Sequence, residues 1–386
     1  MKSPRKSALI LFLFVLAAVL GMASFALRVL PKILTHRING RLRAVSGYDG
    51  GVERVRLKWA KPRLILHQFH LNKRDATPPG VFLSADQISI GFSWSALLRG
   101  NLVLDVTLEK PRIVCLMRQR GIGEPLKYGL WQEFFAPRVP FRMDRVTIND
   151  GILRFQNDQS IPPIDVTFDE VTLTADNLAN RESMVLPKTT LIKGCGRLMD
   201  HAPVRLSVEM EPFKKHSTFR LKGEVKDFNL VFLNEVLRHY TGLELKKGSL
   251  TMGGEFTVRD GEFNGRVHRR IEGLIVRSRH RGFINGMKEI YFQAWIDRRE
   301  DTITGRIEND FRLSGPLGYM DQDAFLAAVW VAKSAFLQSL RARMTGEIRM
   351  GTPEEAQDKW AAQQAREREK RAREKRRHGM TALNDL

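Results

Sequence analysis

The chain has 386 residues and carries 63 Lys and Arg against 43 Asp and Glu, a formal charge of +20. Hydrophobic residues make up 43% of it, enough for a sizeable core, and two cysteines exclude a disulfide-stapled scaffold. The basic balance directs the protein toward anionic surfaces, either lipid head groups or nucleic acid.

The first element is apolar. From Ala8 to Leu27 there is no charge, and Pro31 follows as a stop. About 20 apolar residues at ~1.5 Å each match a hydrocarbon core of ~30 Å, so residues 1–31 read as a cytoplasmic stub and a transmembrane anchor. Lys2, Arg5 and Lys6 put the N-terminus in the cytoplasm and the bulk of the chain in the translocated compartment. A cleaved signal peptide is the rival reading, with Gly21-Met22-Ala23 or Ser24-Phe25-Ala26 as the cleavage site, but an apolar core of that kind runs ~7–15 residues. A translocated protein rarely meets nucleic acid, so the expected partner of the positive charge is lipid.

Residues 32–47 follow as a juxtamembrane segment. Ile33 to Val45 has the pattern of a basic amphipathic helix, with Ile33, Leu34, Ile38 and Leu42 on one face. Lys32, Arg37, Arg41 and Arg43 are the residues expected to meet lipid phosphates; a plain connector helix explains the same pattern.

From 48 to 315 the period changes to two. Alternation marks strands at Val52–Trp59, Arg63–Leu71, Asp86–Phe92, Leu102–Leu108 and Arg112–Met117, then Arg145–Phe155, Val166–Thr174, Thr189–Leu198, Val204–Met210, Thr218–Val225, Ser249–Val258, Glu262–Val267, Ile271–Val276, Glu289–Ile296 and Thr302–Leu313. Asn149-Asp150-Gly151 and Arg259-Asp260-Gly261 both read as hairpin turns. Helices are few: Ser93 caps a short one over Ser93–Leu98, and Leu230–Tyr240 is amphipathic. The expected fold is mainly β, about 18 antiparallel strands with one apolar face.

Two C-terminal stretches break the rhythm. Residues 321–343 contain Asp323–Leu337, apolar almost all round but short for a membrane span, and read as a core helix closing the sheet. An interfacial membrane helix is the alternative, with Phe325, Trp330 and Phe336 as its lipid-facing candidates. Residues 353–386 form a charged helical tail, with eight Lys or Arg against three Glu over 366–377; it is a solvated tail or a site for a protein partner or anionic lipid.

Signals for chemistry are weak. His67 and His70 lie three apart, which on a regular strand places them on opposite faces and argues against a metal pair. No nucleophile elbow, phosphate-binding glycine loop or dinucleotide fingerprint occurs, and Cys115 sits within an apolar strand. Cys115 and Cys195 are either bridged or two buried thiols. Neither an enzyme nor a cofactor is expected.

Several stretches together resemble the AsmA-like superfamily of bacterial envelope proteins. They are the N-terminal anchor, Arg54–Leu71, Phe82–Gly100, the proline-marked strand pair Leu102–Val114, and the strand–helix–strand unit Val225–Leu250. Each is a hydrophobic rhythm, and no catalytic residue is carried over. The resemblance implies an elongated, curved, groove-like β-sheet on the periplasmic side of a bacterial inner membrane, binding or transferring phospholipid and serving envelope integrity. About 18 strands at ~4.8 Å span only ~85 Å, short for crossing a periplasm alone. The alternative function is a non-enzymatic scaffold or assembly adaptor with a closed β-fold.

Overall fold

The computed structural model describes residues 29–44, 47–59, 61–74, 80–116, 141–157, 163–179, 181–184, 189–199, 201–235, 243–278, 306–318, 321, 324–341 and 346–352, with isolated positions elsewhere. Fifteen strands join in one sheet. They are β1 (Tyr48–Gly51), β2 (Arg54–Lys58), β3 (Arg63–Lys73), β4 (Gly80–Phe92), β5 (Leu102–Glu109), β6 (Arg112–Leu116), β7 (Phe141–Asn157), β8 (Ile164–Ala179), β9 (Thr190–Leu198), β10 (Ala202–Met210), β11 (Phe219–Asn229), β12 (Leu243–Arg259), β13 (Glu262–Ser278), β14 (Arg306–Pro316) and β15 (Gly346–Arg349). Neighbours follow chain order almost throughout, in the path β1-β3-β4-β5-β7 and on to β15, with β2 beside β3 and β6 beside β4 and β7. Among the described residues the α-helices beside them are α1 (Leu30–Arg43), α2 (Trp94–Leu98) and α3 (Ala324–Arg341).

The sheet is mixed rather than wholly antiparallel. β5 and β6 both run parallel to β7, and β14 runs parallel to β15. A parallel neighbour needs a crossover of about a dozen residues or more, and the chain supplies one each time. The first is the 117–140 stretch. The second contains α3, so the apolar helix is the crossover of a β14-α3-β15 unit, and β15 is a strand that its short sequence did not announce.

Asn149-Asp150-Gly151 is not a turn. β7 runs straight through it for 17 residues, with Asp150 at φ 53° and the register against β8 shifting there. The Lys110-Pro111 break between β5 and β6 lies opposite: Lys110 N donates to Asn149 O, and Ile152 N donates to Pro111 O. Gln68, Lys110, Asp150 and Glu170 all have φ near +50° and stand on β3, between β5 and β6, on β7 and on β8. They mark a line of irregularities across the sheet. A bulge adds a residue that flips the alternation, so a turn signal and a bulge signal look alike in sequence.

The same irregularity overturns the reading of the histidines. Leu66 and Phe69 belong to one core cluster although they are three apart. His67 and His70, the residue after each, therefore share the other face. Among the described residues no group of three His, Cys, Asp or Glu side chains gathers as a metal site.

Arg259 pairs with Glu262 across a two-residue loop, Asp260-Gly261, with φ of 52° and 78°. Positive φ at both positions is the type I′ geometry that suits a twisted hairpin. Gly261→Ala is expected to destabilise the protein by about 1–2 kcal/mol through the left-handed backbone alone, read from the midpoint of denaturant unfolding. Glu262–Val267 and Ile271–Val276 are one strand, β13, because the ladder to β12 runs unbroken through His268, Arg269 and Arg270.

Pro31 sits in the first turn of α1 and so begins that helix. Leu34, Ile38 and Leu42 pack on β1–β4, whereas Ile33 is exposed. Ser93 caps α2 by accepting from Ala96 N. The Leu230–Tyr240 helix is a 3-10 turn at Leu230–Leu233, capped by Asn229; its residues 236–240 lie outside the described ones. Among the described residues no helix is long and apolar enough to cross a membrane. The 8–30 anchor segment lies outside them apart from isolated positions, as do strand 289–296 and most of the 353–386 tail. Cys115 and Cys195 are unbridged; the first is buried and the second, contrary to expectation, exposed.

Candidate functional site

Register across the sheet lines up apolar side chains in two rows. One runs Leu64, Ile90, Val106, Val146, Ala175, Ile192, Val208, Leu221, Phe256, Gly265, Leu313 and Ile348, one residue from each strand in turn. The next runs Leu66, Ile88, Leu108, Ile148, Leu173, Gly194, Leu206, Gly223, Gly254, Val267 and Phe311. No polar residue interrupts either row. At Gly265 an added Cβ would fall 2.2 Å from Phe256 Cδ1, so the Phe256 ring lies across the space a side chain would fill. At Gly223 the nearest atom to such a Cβ is 3.8 Å away, so there the floor of the band is bare backbone.

Three zones follow from what lies over this band. At the first edge α1 covers it, closing a cluster around Leu42, Val55, Leu66, Phe69, Leu71, Ala85 and Ile88. Toward the other edge α3 covers β11–β13 with a face of small residues: Ala327, Ala328, Val331, Ser334 and Ala335 are all buried. Between them, on β5, β7 and β8, Val106, Leu108, Val146, Ile148, Phe168 and Leu173 are only partly buried. The middle of the band is thus its least covered part.

α3 is fastened at both ends. Before it, Asp321 accepts from Ser217 N at 3.0 Å and contacts His216 Nδ1 at 2.5 Å, tying it to the β10–β11 connection. At its C-terminal end Arg269, buried within the apolar face, donates from Nη1 to Ser339 O and from Nη2 to Asn309 Oδ1, each at 2.5 Å. A cation there also complements the negative end of the helix dipole. Sequence alternation alone could have flagged Arg269, which falls in step with Val267 and Ile271.

Trp330 packs edge-on against Phe263 at 5.3 Å, so its ring lies in the helix–sheet contact, away from any open surface. Phe336 is half-buried and meets Phe228 edge-on at 5.8 Å. The Phe325 side chain lies outside the described ones. Lys333 points away from the sheet, accessible to solvent, yet crowding around it desolvates the ammonium and lowers its pKa from the usual lysine value. Lys32, Arg37, Arg41 and Arg43 are all exposed on α1, and among the described residues no side-chain hydrogen bond or ion pair draws them into one cluster. Cys115 is held neutral, its pKa pushed up to about 11 by burial, which suits a core residue and not a nucleophile.

No family model matches the chain, and no curated protein matches it either. What the fold and site define is a class by geometry alone: among the described residues, one β-sheet with a continuous apolar band, roofed by helices near its two ends.

Proposed function

We propose that the protein binds phospholipid acyl chains along this apolar band, as a membrane-tethered periplasmic lipid carrier of the bacterial envelope. The observation that carries the reading is the pair of uninterrupted rows, running over eleven strands or more, with partly buried side chains in the middle. A contiguous apolar surface of that extent marks a binding site when no second layer covers it. Acyl chains suit it because they need apolar contact and no hydrogen bonds. The bulges support a groove, since each bends its strand and adds twist. Thirteen strands lie on the sheet's main path, and at ~4.8 Å per step that path extends about 58 Å, shorter than the ~85 Å expected. Transfer to a second membrane would then need a partner or several copies.

The test is purification of the full chain from a native membrane followed by mass spectrometry of bound lipid. Phospholipid should co-purify, and Leu173→Asp and Val146→Asp should each lower it about tenfold by placing a charge against acyl chains. A wild-type preparation free of lipid, or variants that keep their full load, would overturn the proposal.

A further inference from the structure

Four large apolar side chains stand exposed at one corner of the sheet, where β2 turns into β3 and β4 passes through α2 into β5. Leu98 is 88% exposed, and Trp59, Trp94 and Leu97 are 42%, 45% and 44% exposed. The ladder brings the two connections together: Lys58 pairs with Arg63, Arg63 with Gly91, and Phe92 N donates to Pro62 O at 3.0 Å. α2 buries Ala96 and turns Leu97 and Leu98 outward. Trp94 stands edge-on to Phe92 at 4.9 Å. Single exposed apolar residues are ordinary on a protein surface, but a group of them rimmed by polar residues marks an interaction site.

The rim of this corner is cationic. Lys58, Lys61 and Arg99 are exposed, and neither 58–63 nor 91–104 contains an Asp or Glu. Among the described residues none of these three makes an ion pair, whereas Arg145, Arg154 and Arg197 farther along the sheet are paired with carboxylates on neighbouring strands. α1 begins at the same corner. β1 and β2 run in one direction, both antiparallel to β3. Asn39 is bonded to Val52, and Leu42, nearly a turn later, lies beside Gly50. The helix therefore runs antiparallel to this edge, and its start, with Val29 and Ile33 exposed, lies toward the Trp59 end. The uncharged stretch Ala8–Leu27 precedes that start in the chain.

We propose that this corner seats in the head-group layer of an anionic bilayer, with Trp59, Trp94, Leu97 and Leu98 entering it and Lys58, Lys61 and Arg99 against lipid phosphates. Tryptophan suits that depth, because its ring is apolar and its N–H still needs a polar partner. Unpaired Lys and Arg beside it are drawn to a negatively charged leaflet. A protein partner fits less well, since lysine is depleted from protein interfaces. The inference goes beyond acyl-chain binding: it concerns a strand end, not the face of the sheet, and needs no lipid in the band.

The test uses the full chain carrying Cys195→Ser, reconstituted in vesicles of phosphatidylcholine and phosphatidylglycerol. A nitroxide spin label is placed at Leu98→Cys or, as a reference, at Lys215→Cys, exposed on the β10–β11 connection. Cys115 is buried and stays unlabelled. Dissolved oxygen, which concentrates in the bilayer, should reach the label at 98 more readily than a water-soluble nickel chelate does, and the order should reverse at 215. Lys58→Glu, Lys61→Glu and Arg99→Glu together should return the label at 98 to water, each lost cation weakening the seating about fivefold. All three side chains are exposed and unpaired, so folding is expected to survive, and unfolding midpoints check this. A label at 98 as aqueous as that at 215 overturns the inference. So does one shielded from both reagents, as in a protein contact, or one still in the bilayer after the triple reversal. None of these outcomes touches acyl-chain binding, which is read separately from the co-purified lipid; an empty band with the label at 98 in the bilayer overturns that reading alone.

Discussion

Phe263→Ala is expected to cost about 3–5 kcal/mol of stability, the largest effect of any single substitution considered. Phe263 is 1% exposed, sits on β13 at the hairpin end of the sheet, and touches Phe256 at 6.3 Å and Trp330 at 5.3 Å between ring centroids. Removing its ring leaves a void bounded by sheet on one side and α3 on the other. Neither boundary can collapse freely: β12–β14 are held by their ladders, and α3 is pinned at both ends. The lost contacts and the unfilled cavity therefore add. Denaturant unfolding should show the midpoint fall with little change in slope, and hydrogen exchange should rise across 327–335. A loss under about 1 kcal/mol would mean that the helix follows the void inward and that its fastening is weaker than described.

Arg269→Met should cost about 2–3 kcal/mol. Arg269 is only 4% exposed, and its donors serve Ser339 O, which is withdrawn from water, and the partly buried Asn309 Oδ1. Methionine keeps the apolar stem but leaves the last turn of α3 without a donor, and a buried acceptor stripped of its partner costs about 1–3 kcal/mol. The opposing effect is real, since an apolar residue replacing a buried charge removes its desolvation cost. Here the acceptors remain behind, so the loss should win. Exchange at the C-terminal turn of α3 should quicken more than exchange in β13. A variant as stable as the parent would show that Arg269 orients the helix without holding it.

Much of the fold was legible in one dimension. Strict alternation in stretches such as Val204–Met210 and Thr218–Val225 announced a mainly β protein with one apolar face, since side chains on a regular strand alternate sides. The Asp260-Gly261 hairpin was read as one from its Asp-Gly pair, and it is one, with both residues at positive φ. The apolar stretch Asp323–Leu337 was readable as a helix closing the sheet, and it lies on β11–β13.

Other features depended on partners distant in the chain. Asn149-Asp150-Gly151 carries the same residues whether the chain reverses or bulges; the Lys110-Pro111 break opposite decides for the bulge. The parallel pairings of β5, β6 and β15 rest on crossovers whose direction no local pattern encodes. His67 and His70 share a face only because Gln68 shifts the alternation. At the sheet edge Asn39 on α1 pairs with both backbone groups of Val52, and their spacing in sequence gives no hint of it. Local composition thus determined which residues prefer strands and which side of each strand is apolar, because those preferences are set by backbone period and side-chain solvation. Only the tertiary structure decided how those faces align into one band and where it stays partly open, because register and cover are properties of pairs of segments.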